Sequence, residues 1–440
     1  MARKQIFVRI GKAATPVGEM IVSTDGVRET SVFRYDQSWL ENPRAFALSP
    51  GMRLDQSPHY FNKEDGSSLP PAVADGTPDS WGRAIIKAHL GGRACTDLDY
   101  LLQASDDLRS GALRYYESRD ADAPPLAPPM GKPGLYSIPR LVDLDDLVIE
   151  ARAFEIDPAR YREKRANMIG GDLLKGAVGS LGGARPKINA QADDGSLWIV
   201  KLAKFDDQYS VAHAEVLALT LARAVGIEAA EARLLPSSQK YPIAIVKRFD
   251  RAEDGIRIPF ISAQTFMNLP GAAPGNYADI AFEMIEWSAD RTGDTQELFR
   301  RLAYNILIQN TDDHLRNLAF LYGGDGKWRL SPAFDINPVP EHGTTLKTSI
   351  SEIHGNELDV DQLIDAAPYF GIEMDDAAQI VAEMATTIKD SWRHIAGRLQ
   401  MPGKDIRFVA PAFENPQIAR AIELKALHVG STATGRRIGM

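Results

Sequence analysis

Apolar and polar residues alternate from the first strand-like stretch onward. In "QIFVRIGKAATPVGEMIVSTDGVRETSVFRYDQSWL" the alternation is broken by Gly, Pro and Asp-Gly, which predicts a small antiparallel β unit. "DGTPDSWGRAIIKAHL" then sets Pro and Asp-Ser ahead of an apolar period and predicts a helix from about Trp81 to Leu90. "ADAPPLAPPMGKPG" holds five prolines in fourteen residues, too many for helix or ladder, and reads as a linker closing a module of about 120 residues. Beyond it "LVDLDDLVIEARAFE" predicts a helix, and "ARPKINAQADDGSLWIVKLAKFDD" predicts a hairpin turning at Asp-Asp-Gly. "VAHAEVLALTLARAVGI" predicts a buried helix through Val211, Val216, Leu219 and Val225 that stops at Gly226. "ARLLPSSQKYPIAIVKRFDR" returns to strand. From "YADIAFEMIEWSAD" onward helices dominate, as with Ile380, Met384, Ile388 and Ile395.

These segments predict a β-rich module, a strand-and-helix portion and a helical portion, an α+β plan without internal repeats. At 440 residues the chain is long for one core, and a prior of about 150 residues per domain predicts two or three units. Composition changes this little: 44% hydrophobic and 25% charged residues are ordinary for a globular protein. No apolar run approaches the ~18 residues of a membrane span. A net charge of −9 leaves no general basic footprint for nucleic acid. The single cysteine, Cys95, excludes an intrachain disulfide and a Cys-based zinc cluster. "MARKQIFVRIG" runs into strand alternation rather than an apolar leader, so a cytoplasmic protein is expected.

Chemistry enters with the glycines. No G-x-x-x-x-G-K-[ST] is present, and Gly176, Gly179, Gly182 and Gly183 in "KGAVGSLGGARPK" do not fit G-x-G-x-x-G. Four glycines in eight residues still make a pliable loop whose amides can wrap phosphate oxygens, with Ser180 at its tip. Lys201 lies in "LWIVKLA", where apolar neighbours make an isolated ammonium costly. Glu215 is a lone acid on the apolar helix that follows. A strand lysine paired with a glutamate on the next helix is how protein kinases hold ATP phosphates; a snorkelling lysine and a solvated glutamate is the alternative.

In "TDDHLRNLAF", Asp312 and Asn317 are five apart, the spacing of Asp and Asn in the kinase catalytic loop. "LAFLYGGDGKWRLSPAFDINP" predicts a hairpin that returns Asp335 towards Asn317, so that both could hold one Mg²⁺ while Asp312 meets the acceptor hydroxyl. "TDDH" also reads as a helix N-cap with acids in the first turn. His314 has no second histidine at helical spacing, which disfavours zinc, and the lack of G-x-S-x-G disfavours a serine hydrolase. The order of glycine loop, strand lysine, helix glutamate, Asp-x-x-x-x-Asn and closing aspartate favours a kinase.

"VGSLGGARPK", "KRFDR", "NTDDHLRNLAF", "LSPAFDINP" and "GTPDSWGR" together resemble the HipA toxin kinases of bacterial type II toxin–antitoxin systems. The resemblance implies a protein-kinase-like two-lobed fold: a β-rich module over 1–120, a Pro-rich linker over 121–140, an N-lobe-like part over 141–260, a helical C-lobe over 261–430 and a flexible tail over 431–440. It implies Asp312 as catalytic aspartate, Asn317 and Asp335 as Mg²⁺ ligands, and Glu215 as support for Lys201. ATP contacts would come from Ser180, Leu181, Gly182, Gly183, Lys201, Lys247, Phe249 and His314, with the Lys247–Phe249 strand as the hinge along adenine. Ser180 would be the site of inhibitory autophosphorylation. The implied partners are a helix-turn-helix antitoxin that carries the operator-DNA contact and, as substrate, a serine of an aminoacyl-tRNA synthetase such as glutamyl-tRNA synthetase. Its phosphorylation would arrest translation and promote persistence. Arg316 stands where a lysine is frequent, and Lys247 where the best-known member is acidic. A kinase-like co-repressor scaffold and a small-molecule phosphotransferase are the alternatives.

Overall fold

The structure, a computed structural model, describes residues 2–25, 28–126, 138–141, 144–166, 174, 185–271, 273–341 and 343–424. The glycine loop with Ser180, Leu181, Gly182 and Gly183, most of the Pro-rich stretch and the 431–440 tail lie outside the described residues. The chain forms two compact units. One comprises Met1–Asp206, Leu235–Ala273 and Ala319–Trp328; the other comprises Asp207–Leu234, Pro274–Leu318 and Arg329–Met440.

In the first unit, strands β1 (Ala2–Ile10), β2 (Thr15–Thr24), β3 (Glu29–Tyr35), β4 (His59–Asn62) and β5 (Leu113–Tyr116) form a sheet in the order β4-β3-β2-β1-β5. Every pairing in it is antiparallel. The alternation read from the sequence turns Ile6, Val8, Met20, Val22, Phe33 and Tyr35 inward. The next predicted helix spans Ser80–His89 and starts where the Asp79 side chain accepts from Gly82 N at 2.7 Å. The Asp-Asp-Gly hairpin is present as β6 (Lys187–Gln191) and β7 (Leu197–Lys201), in register Asn189 to Ile199. Strand β8 (Ala232–Leu235) ends at the unit boundary, and β9 (Ile243–Lys247) lies antiparallel to β7.

One core joins these pieces. Trp81 and Ile85 from the early helix, Leu147 and Phe154 from helix Leu144–Ile156, and Ile188, Trp198, Val200 and Ile245 from the strands are buried in a single cluster. At about 1.5–3 kcal/mol per large side chain, such a cluster is a main source of the unit's stability.

The "KRFDR" segment supplies a second junction. Arg248 is 4% exposed and donates to the Leu108 and Arg109 carbonyls at 2.7 and 3.1 Å, and to Asp250 at 2.7 Å. Asp250 also accepts from Arg251 and from Gly111 N, both at 2.8 Å. Burial alone would raise the Asp250 carboxyl, but the Arg248 and Arg251 guanidiniums hold it well below the usual carboxylate range. Gly111 is required there: its φ is +72°, and a Cβ would meet Phe260 N at 3.1 Å. Beyond it, β10 (Phe260–Ser262) pairs with β11 (Ala319–Gly324), and Gly324, Asp325 and Gly326 take positive φ to turn the chain into β12 (Lys327–Leu330).

The second unit is helical. Helix Val211–Ala224 is buried over most of its length and packs on the long helix Met374–Arg398. In the latter Val381, Met384, Ile388, Trp392 and Ile395 face inward, while Ile380 lies at the edge of the stripe, half-buried. Helix Arg291–Leu307 is tied to the first of these by Tyr304, whose hydroxyl donates to Ala218 O at 2.7 Å. It carries the chain to the "TDDH" segment.

Candidate active site

Helix Arg291–Leu307 stops because Gln309 turns left-handed, at φ +54°, and Asn310 N bonds back to Asn305 O at 2.8 Å. Residues 311–314 then run without helical structure, so the N-cap alternative for "TDDH" does not hold. A tight turn closes with Asn317 N on His314 O at 2.7 Å. In this loop the Asp312 side chain is 46% exposed, whereas Asp313, its neighbour, is buried. Two adjacent carboxylates thus have opposite fates: one faces solvent, the other the protein.

Asp313 is the anchor. It accepts from Lys347 N at 2.7 Å, Thr348 N at 3.4 Å and the Tyr277 hydroxyl at 3.1 Å, and its carbonyl accepts from Thr348 Oγ1 at 2.7 Å. Burial pushes its carboxyl up to about 6 against the lowering effect of these donors. Burial and the same carboxylate hold the Tyr277 phenol well above its ordinary range, which keeps it a donor. From Tyr277 the network continues: Asn305 Nδ2 donates to the Tyr277 hydroxyl at 3.1 Å, Asn310 Nδ2 to Asn305 Oδ1 at 2.9 Å, and Asn337 N to Asn310 Oδ1 at 3.1 Å. Val339 N adds a bond to Gln309 O at 3.1 Å. The segment holding Asp335 is thereby tied to the start of the catalytic-type loop.

Asn317 Nδ2 donates to Asp312 O at 2.8 Å, which fixes its amide within the loop. Asp335 sits at φ +54°, a conformation Asp tolerates better than most residues, and Asn337 Nδ2 reaches its Oδ1 at 3.3 Å. Asn317 and Asp335 line one cavity of about 30 Å³ together with Asp313, Asn310 and Arg301. His314 Nε2 lies 4.0 Å from Asp312 Oδ1. Burial lowers the His314 pKa, Asp312 and Asp335 oppose that, and Lys347 adds to it. Lys347 Nζ, 57% exposed, is hydrogen-bonded to Asp312 Oδ1.

The structure therefore brings Asp312, His314, Asn317 and Asp335 together in the second unit. Glu215 is buried in the same unit, on helix Val211–Ala224. Lys201 and Lys247, the last residues of β7 and β9, and Phe249 are half-buried and belong to the first unit. Sequence reasoning missed Lys347, Thr348, Tyr277, Asn305, Asn310 and Asn337. The available signal was faint: Asn305 and Asn310 interrupt the apolar run "LAYNILIQN" on faces that must be buried. Among the described residues no three His, Cys, Asp or Glu converge as a metal cluster. Asn317 and Asp335 offer a hard-oxygen pair of the kind Mg²⁺ accepts when phosphates and water complete its shell, so the donor set fits that ion. Among the described residues no helix is long and apolar enough to cross a membrane.

A model of the HipA N-terminal domain matches residues 8–116, and a model of the HipA-like C-terminal domain matches residues 179–392. A Sinorhizobium fredii protein named "Putative kinase Y4dM" is 25% identical over 88% of this chain and 85% of its own length. An Escherichia coli protein named Toxin YjjJ is 26% identical over 41% of this chain and 42% of its own length. The fold is similar to that of Shewanella oneidensis HipA, solved with HipB and operator DNA: TM-score 0.67, 97% of each chain covered, 16% identity.

Proposed function

Because the chain belongs to the HipA family, we propose that it is an ATP-dependent serine/threonine-protein kinase toxin. The observation that carries this reading is the paired environment of the 312–317 loop. An exposed Asp312 shares its loop with Asn317, Asn317 and Asp335 line one cavity, and the buried Asp313 network ties that loop to the segments that carry Asp335 and Lys347. Phosphoryl transfer requires positioning and charge neutralisation more than covalent chemistry, and a loop pinned by the buried Asp313 side chain supplies the positioning.

In this reading Asp312 accepts and orients the serine hydroxyl, and Asn317 and Asp335 hold Mg²⁺. The ion, when bound, neutralises charge on the phosphate oxygens. Lys201, supported by Glu215, and the loop of Ser180, Leu181, Gly182 and Gly183 receive the triphosphate; Lys247 and Phe249 flank adenine; His314, kept neutral by burial, borders the nucleotide. Autophosphorylation of Ser180 would add about −1.5 to −2 charges to a loop that must cradle phosphates, and so switch the enzyme off. The target is a serine of an aminoacyl-tRNA synthetase, glutamyl-tRNA synthetase being the first to test, with growth arrest and persistence as the outcome in the cytoplasm. A HipB-like helix-turn-helix antitoxin is the partner, supported by the HipA–HipB–operator complex of the structural relative. It would provide the DNA contact that this chain's charge of −9 does not favour.

Transfer from labelled ATP by the wild type and by Asp312→Asn decides the reading. A drop of ~10²-fold or more is expected, with ATP binding retained. Equal transfer would remove Asp312 from the chemistry, and ATP binding without turnover in the wild type would favour the co-repressor scaffold.

A further inference from the structure

Lys347 lies thirty-five residues from Asp312 in sequence, yet its ammonium meets the one carboxylate to which the acceptor hydroxyl is assigned. Its placement is not accidental to the surface. Lys347 N is fixed by Asp313 Oδ1 at 2.7 Å, and the next residue, Thr348, is fixed twice more to Asp313, through the carboxylate and the carbonyl. The root of the side chain is thus rigid, while the head is 57% exposed on a flexible four-carbon stem. The buried residue that shapes the catalytic-type loop also determines where this lysine begins.

Resting on the kinase reading above, we propose that Lys347 is a second cation, beside the Mg²⁺ that Asn317 and Asp335 would hold, that neutralises the transferring phosphoryl group. In the transfer, the bond from the γ-phosphorus to the β–γ bridging oxygen breaks, and a bond from phosphorus to the serine oxygen forms. The hydroxyl proton goes to Asp312, ADP leaves, and Lys347 keeps all its protons. A hydroxyl held by Asp312 stands about 2.7 Å from the carboxylate. The reacting phosphorus stands about 3–3.5 Å beyond it. An ammonium already on Asp312 needs only a rotamer change to reach a phosphoryl oxygen.

The other basic groups of the loop are less suited. Burial disfavours the charged form of His314, and Arg316 is exposed and forms no ion pair among the described residues. The contact with Asp312 also gives the lysine a resting position, so the charge waits at the point of reaction and is handed over when the acceptor displaces it from the carboxylate.

Lys347→Met and Lys347→Arg test this, since the main-chain anchors on Asp313 survive both. The expected result for Lys347→Met is a kcat lower by ~10²-fold or more, with KM for ATP within about threefold of wild type. A second readout needs no turnover: Lys347→Met should weaken binding of Mg-ADP with aluminium fluoride, a mimic of the transferring phosphoryl, while Mg-ADP alone binds as before. Lys347→Arg should recover most of both. An unchanged or faster Lys347→Met enzyme, or a variant that loses Mg-ADP and Mg-ADP–fluoride binding equally, overturns the proposal. If that variant transfers at the wild-type rate while Asp312→Asn does not transfer, Lys347 is excluded and the kinase reading stands; if the wild type itself transfers nothing, both fall.

Discussion

Asp313 should leave a signature in the pH dependence of stability. Its carboxyl is raised from 3.8 in the unfolded chain to about 6 in the folded one, chiefly by burial. Between these values the folded protein binds the proton more tightly than the unfolded chain does. The stabilisation is therefore fully present below pH ~4 and is lost as pH rises through about 6. Roughly two units at 1.36 kcal/mol each give about 3 kcal/mol. The assay is urea unfolding of wild type and Asp313→Asn between pH 4 and 7.5, because subtracting the variant removes every other titrating group. The wild-type stability minus that of the variant should fall by about 3 kcal/mol across this range and level off above pH ~7. A flat difference would mean that the carboxyl is not buried as described; a rising one would mean that its donors outweigh its desolvation.

Three further outcomes follow from the same contacts. Tyr277→Phe removes the donor to Asp313 and the acceptor of Asn305, and should lower stability by about 1–3 kcal/mol in chemical denaturation; an unchanged midpoint would take Tyr277 out of the network. Arg248→Met leaves Asp250 buried with half its cationic partners and should cost about 3–5 kcal/mol, so a loss below about 1 kcal/mol would contradict the burial of the pair. Asp335→Asn should move the Mg²⁺ midpoint of phosphate transfer upward by about tenfold or more while the left-handed backbone is kept, and an unmoved midpoint would remove Asp335 from the metal set.

What could be read in advance was what local spacing encodes. The strands β1 to β3, the hairpin β6–β7 and the buried helix Val211–Ala224 follow from periods of two and 3.6 that hold whatever lies around them. Asp312 and Asn317 were legible for the same reason, since five residues of one loop fix their separation. The Asp313 anchor was not legible: its donors come from residues 277, 347 and 348, and nothing in a sequence says which distant amides will meet a buried carboxylate. Adjacent aspartates look alike until burial separates them. "KRFDR" shows the opposite case: the family resemblance implies a hinge at Lys247–Phe249, while the role of Arg248 inside the first unit depends on carbonyls about 140 residues earlier.

That last junction also bears on inheritance. Arg248, Asp250 and Arg257 bond to the backbone or side chains of residues 106–113, mostly through carbonyls and one amide that every sequence possesses. The shape of the 106–113 turn matters as much as its letters: Asp106 and Arg109, a buried ion pair, and Gly111 are constrained by type. An exchanged N-terminal module would have to keep this turn geometry together with the apolar Trp81 and Ile85, which share a core with residues beyond the module; drift at its exposed positions would leave the seam intact.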